Sequence, residues 1–218
     1  MAEIRIGLVD SNELVRFGRT MMMNSQKDMR VVFEESDPKV ALNRIADYLV
    51  DIIIVEKSQH GFAGSDFVSK LSKTLKEAGN PAKILASAPF TSDQGRWDSI
   101  ASGAADEVGL DSSGSHYLRT IRLAAKPDYV AEVEFIREFG ATQQKPVITR
   151  KLAESLESLE PQQKTILAGF LEGLSDQENA KRIDIAKLRV RQLIELLLSA
   201  GGFDSRGQLL ISLRDRLS

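Results

Sequence analysis

Cysteine is absent from the 218 residues of this chain, which excludes disulfide bonds, thiolate catalysis and Cys-ligated zinc. The two histidines, His60 and His116, are too few and too isolated for a zinc site. No apolar run approaches the roughly 20 residues needed to cross a bilayer. The N-terminus enters an alternating apolar segment directly, without the pattern of a signal peptide. We therefore expect a cytoplasmic protein with no membrane partner, no metal site and no cofactor.

The chain also lacks a large net charge, since 29 basic and 31 acidic residues leave it at −2. This balance excludes a protein that is basic over its whole surface, so any contact with DNA needs a local basic patch. A length of 218 residues is sufficient for two domains, each with its own core.

Residues 1–125 alternate short apolar segments with amphipathic ones. The predicted strands are Ile4–Val9, Arg30–Glu34, Asp51–Val55, Lys83–Ala86 and Asp106–Val108. The predicted helices are Leu14–Met23, Pro38–Leu49, Phe67–Ala78, Arg96–Ala101 and Tyr117–Ala125. In the first helix, Arg16, Arg19 and Thr20 are expected on the more solvated side. Strands that alternate with helices predict an α/β domain with a five-stranded, doubly wound parallel sheet.

Polar residues follow several of these strands, at the sheet edge where doubly wound folds place their working crevice. Four segments, LVDSNELVRFG, DIIIVEKSQHG, KILASA and SGAADEVGLD, contain these strand ends. In order and spacing they resemble the four landmark segments of bacterial response-regulator receivers, over about residues 3–125. The resemblance implies a flavodoxin-like receiver domain.

The first half of the receiver's phosphorylation site departs from the family pattern. The resemblance implies that Asp10 keeps one acid of the Mg²⁺-binding pair, that Ser11 replaces the other, and that Glu56 occupies the phosphoacceptor position. Mg²⁺ prefers carboxylate oxygens, so the neutral Ser11 is a weaker ligand. The extra methylene of Glu56 moves its carboxylate by roughly 1.5 Å, which in-line phosphoryl transfer tolerates poorly. We expect ordinary phosphorylation to be lost.

The second half of the site is also altered. The family's hydroxyl residue is kept as Ser87, its lysine falls on Leu110, and its aromatic switch residue falls on Glu107. Two interpretations of Glu56 stay open: a mimic of a phosphorylated aspartate, or a solvated carboxylate left after the site decayed. A small ligand in the vacated crevice is a third possibility, with Trp97 as a stacking residue, although a lone Trp more often lies in a core or an interface.

We predict that residues 126–154 form a connector between the two domains. Tyr129, Val133, Ile136 and Phe139 recur at helical spacing, which indicates a linker helix. A polar stretch follows, and residues 155–218 then predict a small all-α domain.

Two amphipathic helices about three residues apart, with arginines in the second, are typical of a helix-turn-helix. Ser175 and Glu178 predict a capping box after Gly173, which ends the first helix. Asp184 lies in the tight turn, and Ala186 leaves the next helix without a side-chain cap. Residues 159–210 align without a gap to the LuxR-type helix-turn-helix of the NarL/FixJ class of response regulators, which this segment resembles.

The resemblance implies that Lys187–Ser199 is the recognition helix. The residues expected to pack inward are Ile183, Ile185, Val190, Ile194 and Leu197. The positions implied to reach base edges are Arg191, Gln192 and Glu195. The candidate phosphate contacts are Lys181, Arg182, Lys187, Arg189 and Arg206. In the family the last helix, here Arg206–Leu217, forms a dimer contact, so a homodimer on a pseudo-palindromic site is implied.

Together these features predict a transcriptional regulator that binds double-stranded DNA, with a degenerate receiver that acts without Asp phosphorylation. A regulatory protein or a small ligand at the receiver is a candidate signal. Two alternatives stay open: a conventionally phosphorylated two-component regulator, and a protein–protein adaptor that no longer binds DNA. The neutral helical domain, with nine basic and nine acidic residues from Ser155 onward, motivates the adaptor. No nucleophile–base pair occurs, so no catalytic residue is assigned and an enzyme is disfavoured.

Overall fold

A computed structural model describes residues 3–57, 61–63, 65–143 and 148–213. The chain divides into two compact units, which we call the N-terminal unit (Met1–Pro127) and the C-terminal unit (Asp128–Ser218). His60 and the predicted extension of the last helix to Leu217 lie outside the described residues. Among the helices described below, none is long and apolar enough to span a membrane.

The N-terminal unit contains a five-stranded parallel sheet with the strand order β2-β1-β3-β4-β5. The strands are β1 (Ile4–Val9), β2 (Met29–Glu35), β3 (Ile52–Glu56), β4 (Lys83–Ala88) and β5 (Asp106–Gly109). The central strand β3 is buried along its whole length, as expected for a sheet covered on both faces. The predicted five-stranded, doubly wound parallel sheet is confirmed.

Five α-helices connect and flank these strands. They are α1 (Glu13–Asn24), α2 (Pro38–Arg44), α3 (Asp66–Glu77), α4 (Asp93–Ala101) and α5 (Gly114–Ala124). The core under α2 and α3 contains Ile45, Ile53, Val55, Phe67 and Leu71. Because parallel strands need right-handed crossovers, this strand order places α1 and α5 on the opposite face of the sheet.

Several helix boundaries differ from the prediction for local reasons. The predicted helix Pro38–Leu49 ends at Arg44 and continues as a short 3₁₀ turn, which leaves the Leu49 side chain exposed. Helices α4 and α5 begin three residues earlier than predicted. Ser92 and Ser113 are their N-caps, and each hydroxyl accepts a hydrogen bond from the backbone N–H three residues later.

The C-terminal unit is all-α. Its helices are α6 (Val133–Gly140), α7 (Arg150–Glu157), α8 (Pro161–Leu171), α9 (Asp176–Arg182), α10 (Lys187–Gly201) and α11 (Arg206–Ser212). Helix α10 is central and packs against α7, α8, α9 and α11. Helix α6 contacts α11, so most of the stretch predicted as a connector is part of this unit.

The geometry between α8, α9 and α10 follows from a few residues. Ser175 and Glu178 form the predicted capping box at the start of α9. Asp184 adopts the left-handed conformation, with φ of 53°, in the turn before α10. Gly169 allows the close approach of α9, because a Cβ atom there would lie 2.4 Å from Oδ1 of Asn179. Nδ2 of Asn179 donates to the Ile166 carbonyl at 2.7 Å, which fixes the angle between the two helices.

Candidate functional site

The sheet register brings three of the predicted phosphorylation-site residues together. Glu56 and Ser87 are paired neighbours on β3 and β4, and Asp10 follows β1, which pairs with β3 on the other side. All three side chains are buried. Two carboxyl groups therefore meet a hydroxyl at the carboxyl edge of the sheet, as the fold predicts.

An arginine from α1 fills this cluster. Arg19 is only 4% exposed, so the prediction that it lies on the solvated side of α1 is wrong. Its Nη1 donates to Oδ2 of Asp10 at 2.9 Å, and its Nη2 donates to Oγ of Ser87 at 2.6 Å. The same Nη2 lies 3.6 Å from Oε2 of Glu56. One guanidinium thus bridges both acids and the hydroxyl. These contacts compensate the cost of removing its charge from water.

An aromatic ring completes the surroundings of Arg19. The guanidinium carbon lies 5.7 Å from the centre of the buried Tyr117 ring on α5, within cation–π range. Burial raises the pKa of Tyr117, and the nearby positive charge of Arg19 opposes that rise. The arginine is therefore held by two acids, a hydroxyl and an aromatic ring.

Sequence reasoning missed Arg19, although a signal was available. Val15, Arg19 and Met23 recur every four residues, and all three turn inward, whereas Leu14 and Met21 point to solvent. Helical spacing places Arg19 on the same face as the apolar Val15 and Met23. The apolar residues on the opposite side obscured which face of α1 is buried.

The remaining receiver positions are distributed differently. Ser11 and Leu110 lie at the surface, outside the cluster. Asp10 has a second role as a loop cap, because its Oδ1 accepts a hydrogen bond from the Asn12 backbone at 2.8 Å. Glu56 is buried beside Arg19, so it is not the solvated carboxylate of one interpretation. The crevice at the carboxyl edge of the sheet is occupied by Arg19, so it is not the vacated ligand site of the third possibility.

The cluster does not fit the Mg²⁺ ion that the receiver resemblance implies. Mg²⁺ needs several oxygen ligands in near-octahedral geometry, including carboxylates and water molecules. Here the carboxylates of Asp10 and Glu56 already face a buried guanidinium, and Ser11 is exposed. A metal ion bound to the same oxygens would be repelled by the guanidinium of Arg19 and would have to compete with it for the two carboxylates. We therefore derive no phosphoryl-transfer step from this site.

A second, partly buried ion pair lies where the family has its aromatic switch residue. Nζ of Lys57 lies 2.9 Å from Oε2 of the buried Glu107 on β5 and also donates to the Gly95 carbonyl at 2.7 Å. The hydroxyl of Ser99 on α4 donates to the same glutamate oxygen. Charged hydrogen bonds therefore join the residue after β3 to α4 and β5 at this position, where an aromatic side chain would pack by apolar contact. Trp97, also on α4, is buried.

The predicted DNA-contacting residues of the C-terminal unit differ widely in exposure. Half-buried side chains are Lys187 and Arg191, and Arg206 is only 9% exposed. Exposed side chains are Lys181, Arg182, Arg189, Gln192 and Glu195.

Arg206 is engaged inside the unit. Its two terminal nitrogens donate to the Asp176 carboxylate at 2.7 and 3.0 Å, and Asp176 is 1% exposed. Nε of Arg191 lies 3.8 Å from the same carboxylate. Because its guanidinium is committed to this bidentate pair, Arg206 is not available at the surface as the predicted phosphate contact. The pair joins the start of α9 to the start of α11.

Two more predicted phosphate contacts face acids. Arg182 pairs with Glu172 and donates to the Thr165 carbonyl at 3.2 Å. Lys187 lies 3.3 Å from Oδ2 of Asp128. Burial tends to raise the pKa of Asp128, but the charge and hydrogen bond of Lys187, a backbone hydrogen bond and the charge of Arg206 together lower this pKa overall. Lys181 and Arg189 therefore present the most accessible positive charge.

Two leucines on α10 were also missed. Leu188 is 61% exposed and Leu196 is 53% exposed, and Gln192 lies between them at four-residue spacing. Residues four apart lie on one helix face. The exposed face of the predicted recognition helix thus combines an amide with two large apolar side chains.

No family model matches the chain. It is 23% identical over 205 residues to the DNA-binding transcriptional activator DevR/DosR of Mycobacterium tuberculosis, covering 94% of this chain and 91% of that protein. It is 24% identical over 208 residues to the response regulator protein VraR of Staphylococcus epidermidis, covering 95% of each. Both relatives match nearly the whole chain, across the two units.

Solved structures share the fold. The RcsB response regulator of Salmonella typhimurium superposes with a TM-score of 0.51 at 14% identity, over 99% of this chain and 100% of that one. A LuxR-family two-component response regulator from Aurantimonas sp. SI85-9A1 gives a TM-score of 0.54 at 18% identity, over 65% of this chain and 98% of that one. The architecture of a receiver followed by a helical domain is therefore shared with full-length response regulators.

Proposed function

We propose that this chain is a response-regulator-type transcription factor whose receiver works without Asp phosphorylation. The observation that carries the proposal is Arg19, a buried cation at the carboxyl edge of the sheet, in a chain that also contains a helix-turn-helix segment. The names of DevR/DosR and VraR, a transcriptional activator and a response regulator, support the general assignment.

Independence from phosphorylation follows from charge and space. A phosphoryl group on an acceptor at Glu56 would add about −2 in charge. In the usual site a metal and a lysine compensate that charge, whereas here Arg19 already pairs with Asp10 and Glu56. Leu110 supplies no counter-charge. The receiver is therefore proposed to hold one conformation, with Arg19 in place of a switchable ligand.

The DNA-binding surface is proposed to lie on α9 and α10. Lys181 and Arg189 are exposed and suit phosphate contacts, and Gln192 suits a base edge. Since Arg182 and Lys187 partly neutralise acids within the unit, the net positive surface is small. Non-specific affinity is therefore low, and tight binding requires a dimer on two half-sites.

An apolar stripe on α1 supports self-association. Leu14, Phe17 and Met21 are all exposed and recur at helical spacing. Contiguous apolar patches on a protein surface often mark a site of protein–protein contact. A homodimer would cover it and would present two recognition helices to a pseudo-palindromic site.

Selection of genomic fragments by the purified, unmodified protein tests the proposal. We expect specific fragments to bind without any phosphodonor, with footprints over two half-sites about one helical turn apart. Acetyl phosphate with Mg²⁺ should form no acyl phosphate and leave the affinity unchanged. Phosphorylation that raises the affinity would instead establish a conventional two-component regulator.

A matched pair of variants identifies the surface. Arg189→Ala should weaken binding to all fragments and reduce the slope of log affinity against log salt by about 0.9, the contribution of one phosphate contact. Lys151→Ala removes another exposed positive charge, on α7, and should leave binding unchanged. Equal behaviour of the two variants would count against this surface.

Asp128→Asn is expected to strengthen DNA binding about fivefold at low salt, on the scale of one partly exposed ion pair. The carboxylate of Asp128 holds Lys187, and its loss frees this lysine for a phosphate. The salt slope should rise by about 0.9. Glu157→Gln removes the same charge from an exposed position on α7 and serves as the control. An equal gain in DNA affinity in both variants would show that the effect comes from net charge and not from the release of Lys187.

A further inference from the structure

The exposed face of α10 combines residue types that suit one kind of base pair. Leu188 and Gln192 lie four residues apart in the first two turns, on the same face. Gln pairs in bidentate fashion with adenine, and apolar side chains contact the C5-methyl group of thymine in the major groove. The two residues therefore match the two halves of A·T pairs.

Arg191 is poorly placed to read guanine. Its Nε lies 3.8 Å from the buried carboxylate of Asp176, and the side chain is half-buried. Extending the guanidinium towards a base would give up part of this attraction. Contacts to the DNA bases therefore come from the exposed neighbours of Arg191 on the helix.

On this basis, and resting on the proposed DNA-binding function, we infer that α10 selects A·T base pairs through Leu188 and Gln192. Leu188 contacts thymine methyl groups, and Gln192 donates to N7 and accepts from N6 of adenine. Residues near the N-terminus of a recognition helix make the base-edge contacts, and Leu188 is the second residue of α10.

The charges around Leu188 favour DNA over an apolar protein surface as its partner. Leu188 is followed directly by the exposed Arg189, and Lys181 is exposed on the preceding helix. A hydrophobic protein groove would have to desolvate these cations, whereas two phosphate backbones on either side of a major groove would pair with them. Leu196 lies about 12 Å further along the helix axis, beyond the residues assigned to base edges.

Replacement of thymine by uracil in a bound DNA fragment tests the inference, because it removes only the C5-methyl group. Each contacted methyl should be worth about fourfold in affinity, the value of one buried methyl group. The Leu188→Ala variant should bind the uracil-containing and thymine-containing fragments with equal affinity. With Leu196→Ala, the preference for thymine should persist. Both leucines are exposed, so neither variant should impair folding.

The outcomes separate the inference from the proposed function. Specific binding without a thymine preference, or with a preference that survives Leu188→Ala, would overturn the inference and leave the DNA-binding function standing. Absence of any specific fragment from the folded protein would overturn both. Retention of a protein partner through Leu188 and Leu196 would then support the adaptor.

Discussion

Replacing Arg19 with methionine is expected to destabilise the N-terminal unit by about 3–5 kcal/mol, the usual cost of removing one partner from a buried ion pair. The variant keeps an unbranched apolar side chain in place of the aliphatic part of the arginine but leaves the buried carboxylates of Asp10 and Glu56 without their cation. It also leaves the Ser87 hydroxyl without its guanidinium donor. Urea unfolding of the full chain, followed by the fluorescence of the single, buried Trp97, measures the effect.

Two further variants separate charge pairing from packing. Arg19→Met combined with Asp10→Asn and Glu56→Gln should recover most of the stability, because a neutral cluster carries no uncompensated charge. Arg119→Met removes an exposed arginine of α5 and should change the free energy of unfolding by no more than about 0.5 kcal/mol. An unchanged unfolding midpoint for Arg19→Met would show that the guanidinium does not compensate the two acids.

The second large effect is expected at the base of the helix-turn-helix. Asp176→Asn should destabilise the C-terminal unit by about 3–5 kcal/mol, because the charge of the buried Arg206 loses its bidentate partner. The same carboxylate attracts Arg191, so the start of α10 should also become less ordered. Thermal unfolding followed by circular dichroism at a helix-sensitive wavelength measures this transition, and fragment binding should weaken in parallel.

Glu157→Gln is the matched control for Asp176→Asn, since it neutralises an exposed acid of the same unit. It should leave both stability and binding unchanged. The double variant Asp176→Asn with Arg206→Met should regain much of the stability but not the positioning of Arg191. Full DNA binding by Asp176→Asn at an unchanged melting temperature would refute this positioning role.

The architecture of both units could be predicted because its determinants are local. Alternating apolar strands and amphipathic helices indicate the parallel sheet, and the structure has all five strands close to their predicted positions. The capping box of Ser175 and Glu178 and the turn at Asp184 are equally local. Each depends on residues at most a few positions apart, so the sequence is sufficient to identify them.

The roles of the charged residues were decided only by the tertiary structure. Arg19 meets Ser87 across 68 positions of sequence, Lys57 meets Glu107 across 50, and Arg206 meets Asp176 across 30. Burial of a charge depends on whether an opposite charge lies within a few ångströms in space, and periodicity carries no information on that. Sequence therefore determined the fold and the helix-turn-helix pattern of this protein. Packing decided that an internal arginine fills the receiver crevice, and that Arg206 supports the helices instead of facing solvent.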